Sequence, residues 1–321
     1  MVSDGQDRTI LALHPGALGD VVLFGQFLSA LGGRVRLVAG GEKARLLAGL
    51  GVVDEALGFE SLPMEEVFCE VPPRRCRLGL ALGRCDLLVS CFAEGDPAAQ
   101  RRLCELTGAA DALFLPVRPT ASHAGHLVDL WAGRAGLEGV PAPLWSVPAD
   151  WRRRAREVLV ASVGAGVPAG AGFVLIHPGS GSRRKCWPLE RFVRLAEACR
   201  SGLAGGRRAV FVLGPAECEW WGPAGMESLR RSAGVIKCPP LEVLAALADL
   251  AVAYVGNDSG PTHLAAAVGT PTVALFGATR PEHFAPRGRS VTVLSAGGME
   301  ELALPAVVEA LERVCRGPRR R

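Results

Sequence analysis

The sequence is poor in several materials, and each scarcity excludes something. A single Tyr and 6% aromatics leave little surface on which bases could stack. Lys+Arg 36 against Asp+Glu 32 gives a net charge of only +4, so no nucleic-acid partner is expected. No stretch reaches about 18 uninterrupted apolar residues, the length that a membrane-spanning helix needs. The start, MVSDGQDRTILALHPG, lacks the basic region and apolar run of a secretory leader. A cytoplasmic chain with reduced thiols is therefore expected. The ten cysteines form no C-x-x-C pair and match no common zinc spacing, so they read as small, partly buried hydrophobes. Neither G-x-G-x-x-G nor G-x-x-x-x-G-K-[ST] occurs, against a dinucleotide oxidoreductase and a P-loop NTPase, and no G-x-S-x-G suggests a serine hydrolase. With no D-x-D and no histidine-rich cluster, no metal site and no cofactor are expected.

What is present is the material of a globular α/β protein: 49% hydrophobic and 21% charged residues, with 40 Gly and 23 Pro to make loops. Runs rich in Val, Ile and Leu predict strands at Thr9–His14, Val35–Ala39, Asp86–Ser90 and Ala112–Val117. Between them, apolar residues at three- and four-residue spacing predict helices at Gly19–Leu31, Glu42–Leu50, Pro97–Thr107 and His123–Ala135. Such alternation implies a parallel sheet covered on both faces. The segment from Gly139 to Pro148 carries three prolines in VPAPLWSVP, and the boundary is set there: an N-terminal domain over 1–146 and a C-terminal domain over 147–321.

After a basic helix near Trp151 the pattern restarts. Strands are expected at Gly172–His177, Ala209–Gly214, Val235–Lys237, Leu250–Val255 and Thr272–Phe276, with helices at Leu189–Arg200, Leu241–Leu247 and Thr262–Val268. Two doubly wound, Rossmann-like halves follow, and ligands of such sheets bind beyond the carboxyl ends of the strands, so two facing sheets would share one cleft. The basic end Arg316–Arg321 reads as a solvated tail.

Three segments, each at the end of a predicted strand, carry chemistry. In His14-Pro-Gly-Ala-Leu-Gly-Asp20, Gly16, Ala17 and Gly19 form a tight turn and Asp20 opens a helix, either as an acid at the ligand side or as a helix-capping carboxylate. In His177-Pro-Gly-Ser-Gly-Ser-Arg-Arg-Lys-Cys-Trp-Pro188, small residues including Ser180 can aim amides at an anion, with Arg183, Arg184 and Lys185 supplying charge. In Gly256-Asn-Asp-Ser-Gly-Pro-Thr-His263, a helix start presents amides near Ser259, Gly260, Thr262 and His263. Asp258 would repel a phosphate there unless it faces sugar hydroxyls or donors on the loop. His263 either donates to a ligand oxygen or packs between helix and sheet. Two anion loops in one half point to a nucleoside diphosphate.

Together with their flanks, ILALHPGALGDVVLFGQFLSAL, VLIHPGSGSRRKCWPLERFVRLAEA and YVGNDSGPTHLAAAVGTPTVALFGATRPEHFAP, these segments resemble the family 9 glycosyltransferases, the ADP-heptose:lipopolysaccharide heptosyltransferases. The resemblance implies a GT-B architecture of two Rossmann-like domains, a donor site in the C-terminal half, an acceptor site in the N-terminal half, and metal-independent inverting transfer. It implies that Asp20 is the catalytic base and that Lys185 meets the donor phosphate. Asp258 would contact the donor sugar, Ser259, Gly260 and Thr262 would form the phosphate cradle, and Glu217, or its neighbour Glu219, would bind the ribose. The partners implied are a nucleotide-sugar donor, ADP-heptose in the first place, and a lipopolysaccharide or other glycan acceptor, with peripheral contact at the inner membrane. Ser90, Cys91 and Phe92 stand where relatives usually end a strand in Asp, and Pro63 to Gly83 has no clear counterpart, which leaves the acceptor open. A sugar-nucleotide epimerase or hydrolase, or a non-catalytic nucleotide-sugar binder of the same architecture, is the alternative.

Overall fold

The structure, a computed structural model, describes residues 8–120, 123–163, 172–277 and 279–316. The expected solvated tail beyond Arg316 lies outside them. The chain divides into two compact units, Met1–Pro141 and Ala142–Arg321. That boundary falls five residues before the expected one, because the stretch after Pro141 packs with the second unit. Trp145 and Val147 are buried, and the Trp145 amide donates to the Ala267 carbonyl at 2.9 Å.

The first unit is a five-stranded parallel sheet in the order β3-β2-β1-β4-β5, formed by β1 (Thr9–Leu13), β2 (Arg34–Ala39), β3 (Glu55–Gly58), β4 (Leu87–Ser90) and β5 (Asp111–Phe114). The second is a six-stranded parallel sheet in the order β11-β10-β9-β6-β7-β8. Its strands are β6 (Phe173–His177), β7 (Arg208–Leu213), β8 (Gly234–Lys237), β9 (Ala253–Asn257), β10 (Thr272–Phe276) and β11 (Val291–Ser295). β6, β9 and β10 are buried along their whole length, as continuous apolar runs in a sheet covered on both faces should be. The edge strands β3 and β11 were not foreseen. Both are only half-buried, like the edge strands β5 and β8, which short apolar runs did mark.

Chain order reverses between β1 and β4 in the first sheet and between β6 and β9 in the second, and ligands of open α/β sheets bind at such reversals. The three motif segments follow β1, β6 and β9, so all lie at these points. Between β3 and β4, Pro63 to Gly83 forms short 3₁₀ turns and the helix Arg77–Leu82. Met64, Val67, Leu78 and Leu82 bury their side chains in the core of the first unit, so this segment is a packed cover and not a loose loop. Among the described residues, no helix is long and apolar enough to cross a membrane.

Candidate active site

His177 ends β6 in register with Gly256 of β9, which brings the two loops of the second unit side by side. Asn257, fully buried at the end of β9, fastens them. Its Nδ2 donates to the carbonyls of Pro178 at 2.8 Å and Gly179 at 3.1 Å, and its Oδ1 accepts from the Trp187 amide at 3.0 Å. Ser180 belongs to the same fastening: its hydroxyl donates to the Asp258 carbonyl at 2.7 Å. The expected anion contact thus spends its proton holding one loop to the other.

Lys185 and Asp258 meet in this frame, Nζ donating to Oδ2 at 2.8 Å. Thr279 Oγ1 donates to the same oxygen at 2.7 Å, and His263 Nε2 lies 3.8 Å from Oδ1. Burial raises the Asp258 pKa, but the nearby His263 ring and the hydrogen bonds from Lys185 and Thr279 outweigh it and hold the carboxyl well below the usual carboxylate range. The tension between an acid and an anion-binding helix start is thereby removed, since Asp258 arrives already paired. The Lys185 side chain is 34% exposed and uses one of its three ammonium protons here, which leaves donors for a ligand. His263 is buried and, among the described residues, its Nδ1 has no partner, so it is both a packed residue and a neighbour of Asp258.

The helix Gly260–Ala267 departs from the expectation at Thr262. Its amide donates to the Ser259 carbonyl at 3.1 Å, its hydroxyl to the Asn257 carbonyl at 2.5 Å, and the residue is wholly buried. The His263 amide also turns back to Ser259, at 3.3 Å. A tight first turn satisfies these groups internally, so the donors left at the helix start are the amides of Ser259 and Gly260.

Glu217 sits in the first turn of the helix Pro215–Trp220, where its Oε2 accepts from the Gly214 amide at 2.7 Å and lies 3.8 Å from His177 Nε2. It is buried, whereas Glu219 is exposed. Burial opposes its ionisation, yet the His177 contact and the backbone amides hold its pKa below the ordinary value. A Cβ on Gly179 would stand 1.9 Å from Glu217 Oε1, so the loop needs glycine for the carboxylate to pass.

In the first unit, Asp20 is the third residue of the helix Leu18–Leu31, and its Oδ2 accepts from the Ala17 amide at 3.1 Å. It therefore does cap, from inside the first turn, while remaining partly exposed. Gly16 donates its amide to His14 Nδ1 at 3.0 Å, and a Cβ there would meet the His14 ring at 2.5 Å. Lys43 Nζ donates to the Gly16 carbonyl at 2.6 Å, placing a cation beside the loop. Gly19 lies in the first helical turn. His14 is buried against Phe24 at 5.0 Å, and among the described residues its Nε2 has no partner. Burial, helped by Lys43 and opposed by Asp20, lowers its pKa to about 4.

Asn257, Thr279 and Lys43 were missed by sequence reasoning. The first two lie inside the recognised segments as uncharged polar residues, and the third lies outside all three segments. Among the described residues, no group of three or more His, Cys, Asp or Glu side chains could hold a metal ion.

A profile of glycosyltransferase family 9 (heptosyltransferase) matches residues 129–307, more than half of the chain. The chain belongs to this family. Lipopolysaccharide heptosyltransferase 3 of Escherichia coli is 31% identical over 164 residues, which are 48% of this chain and 44% of that protein, so the match spans less than half of the curated relative. As a fold, the family 9 glycosyl transferase of Veillonella parvula superposes with a TM-score of 0.77 at 20% identity, over 98% of both chains. E. coli ADP-heptose lps heptosyltransferase II gives 0.72 at 18% identity, over 96% of this chain and 98% of its own. E. coli heptosyltransferase WaaC with ADP gives 0.66 at 18%, over 95% and 99%. The family 9 chain described here has the GT-B fold.

Proposed function

We propose that this protein transfers a heptosyl group from ADP-heptose to a hydroxyl of a lipopolysaccharide-core or related glycan, with inversion and without a metal ion. The observation that carries this reading is the Lys185–Asp258 pair, which joins two anion-type loops at the reversal of the second sheet. The relatives, lipopolysaccharide heptosyltransferase 3 of Escherichia coli and heptosyltransferase WaaC with ADP, support the donor and acceptor class.

In this reading the C-terminal unit receives the nucleotide sugar. Lys185 and the amides of Ser259 and Gly260 take the negative charge that builds on the diphosphate as its bond to the anomeric carbon breaks. Asp258, held ionised by its three neighbours, accepts hydrogen bonds from the sugar hydroxyls. Glu217, ionised and rigid, does the same for the ribose. Asp20 takes the acceptor proton as the acceptor oxygen bonds to the anomeric carbon. Its carboxylate keeps one oxygen uncommitted beside the Ala17 amide.

The test is to incubate the protein with ADP-heptose and a heptose-deficient lipopolysaccharide core, with and without EDTA, and to read product mass. Expected is a gain of one heptose, equal in both, with the opposite anomeric configuration by NMR. Sugar release without any acceptor at the same rate would make it a hydrolase. Loss of activity in EDTA that magnesium or manganese restores would overturn metal independence.

A further inference from the structure

The second unit has a cavity of about 690 Å³ away from the motif loops. It runs from the first residues of β7 and β8 to Lys237 at the carboxyl end of β8, the edge strand of the sheet, and none of its lining residues belongs to the motif loops. Arg200, Arg208, Arg230, Arg231 and Lys237 line it, and among the described residues no Asp or Glu does. Among the described residues, only Arg231 of these five has an ion-pair partner, Glu227 at 3.0 Å on its own helix.

Part of this charge has a structural explanation. Arg200 and the pair Arg230 and Arg231 lie in the last turns of the helices Leu189–Arg200 and Gly222–Ser232, where a cation complements the helix dipole. Arg208 opens β7 and Lys237 closes β8, so neither has such a role. Cations from four elements face one space of ligand size, and without an anion they repel one another. Guanidinium groups also match phosphate oxygens in bidentate geometry.

We infer that this cavity is a binding site for an oligophosphate anion, separate from the nucleotide-sugar site. The shared chemistry is that of linked or neighbouring phosphates, whether on a free oligophosphate or on a lipid headgroup.

Calorimetry with inorganic tripolyphosphate, and co-sedimentation with phosphatidylcholine vesicles with and without phosphatidylglycerol, distinguish the sources. Both are run on the intact protein, on Lys185→Ala, and on Arg208→Ala combined with Arg230→Ala. The expected result is binding in at least one arm, retained in Lys185→Ala and weakened at least about tenfold in the double variant, which still binds ADP normally. Tripolyphosphate binding alone identifies a free anion as the ligand, and vesicle binding that requires phosphatidylglycerol identifies a headgroup. Melting curves establish that the double variant is folded, which is expected because both arginines are exposed. Binding lost in Lys185→Ala but kept in the double variant, or no binding in either arm, would overturn the inference.

Discussion

The two sheets begin alike. β1 and β6 each run directly into His-Pro-Gly, His14 to Gly16 in one unit and His177 to Gly179 in the other, and each opens the loop at the reversal of its sheet. Both histidines are buried, but they live in different surroundings. His14 packs on Phe24 and edge-on to Trp131, with Nε2 unpartnered among the described residues. His177 has Ser259 Oγ at 3.3 Å from Nδ1 and Glu217 Oε2 at 3.8 Å from Nε2. The same tripeptide therefore does two jobs. In the first unit it supplies a rigid apolar wall behind a turn that presents one acid. In the second it joins a polar network built to receive charge. The difference comes from the residues that the fold brings up against each loop.

The sharpest way to break this comparison is to remove the acid from the first loop. Asp20→Asn should lower turnover by about 10²- to 10⁴-fold, the usual contribution of a general base, while ADP affinity stays unchanged. Because Asn can also accept from the Ala17 amide, melting should shift little. A folded variant with near-native turnover would reduce Asp20 to a cap and move the base elsewhere.

Next comes the buried ring. His14 has a folded pKa of about 4 against 6.5 when unfolded, so the unfolded chain binds the extra proton and stability falls as pH drops through that window. At about 1.4 kcal/mol per unit the full loss is on the order of 3 kcal/mol. Urea unfolding at successive pH values between about 7 and 4 should show this slope, and His14→Phe should flatten it. Identical slopes in the two proteins would mean that the His14 site lets water in.

Lys185→Ala probes the polar side of the comparison. ADP binding should weaken by about 1.5–3 kcal/mol in calorimetry. The upper end is expected, because the variant removes a cation and also leaves the Asp258 carboxylate nearer to net negative charge beside the diphosphate. Unchanged affinity would leave Lys185 as a structural partner of Asp258 alone.

The smallest effect separates fastening from contact. Ser180→Ala should lose about 1 kcal/mol of stability, the scale of one hydrogen bond, with ADP affinity almost unaffected. An affinity loss larger than the stability loss would return Ser180 to the ligand.

Much of this was legible in the chain. Continuous Val/Ile/Leu runs located β1, β2, β4, β6, β7, β9 and β10 to within a few residues, because central parallel strands must be apolar on both faces. Glycines next to strand ends marked all three loops. The edge strands β5 and β8 were located as well, whereas β3 and β11, no more exposed, were not. Helices Pro215–Trp220 and Gly222–Ser232 were missed where prolines and glycines at their starts read as loop. Of the site, Asp20, Lys185 and Asp258 were visible as charged residues in glycine-rich turns, and Glu217 only through the family resemblance. Asn257 and Thr279 were not, since an uncharged polar residue announces nothing until its partners are known.

The sequence by itself determined the two-domain parallel architecture, the positions of the three loops and the family to which they belong. Those follow from local pattern: hydrophobic period, glycine and proline placement, and charge within a short window. The tertiary structure alone decided that Lys185, Thr279 and His263 converge on Asp258 across as many as 73 residues of chain, that Thr262 and Ser180 serve the frame, and that one His-Pro-Gly is apolar and the other polar. Such outcomes depend on which side chains the β6–β9 and β1–β4 pairings bring into contact, and on how burial then sets each group's charge and hydrogen bonds, which no local pattern encodes.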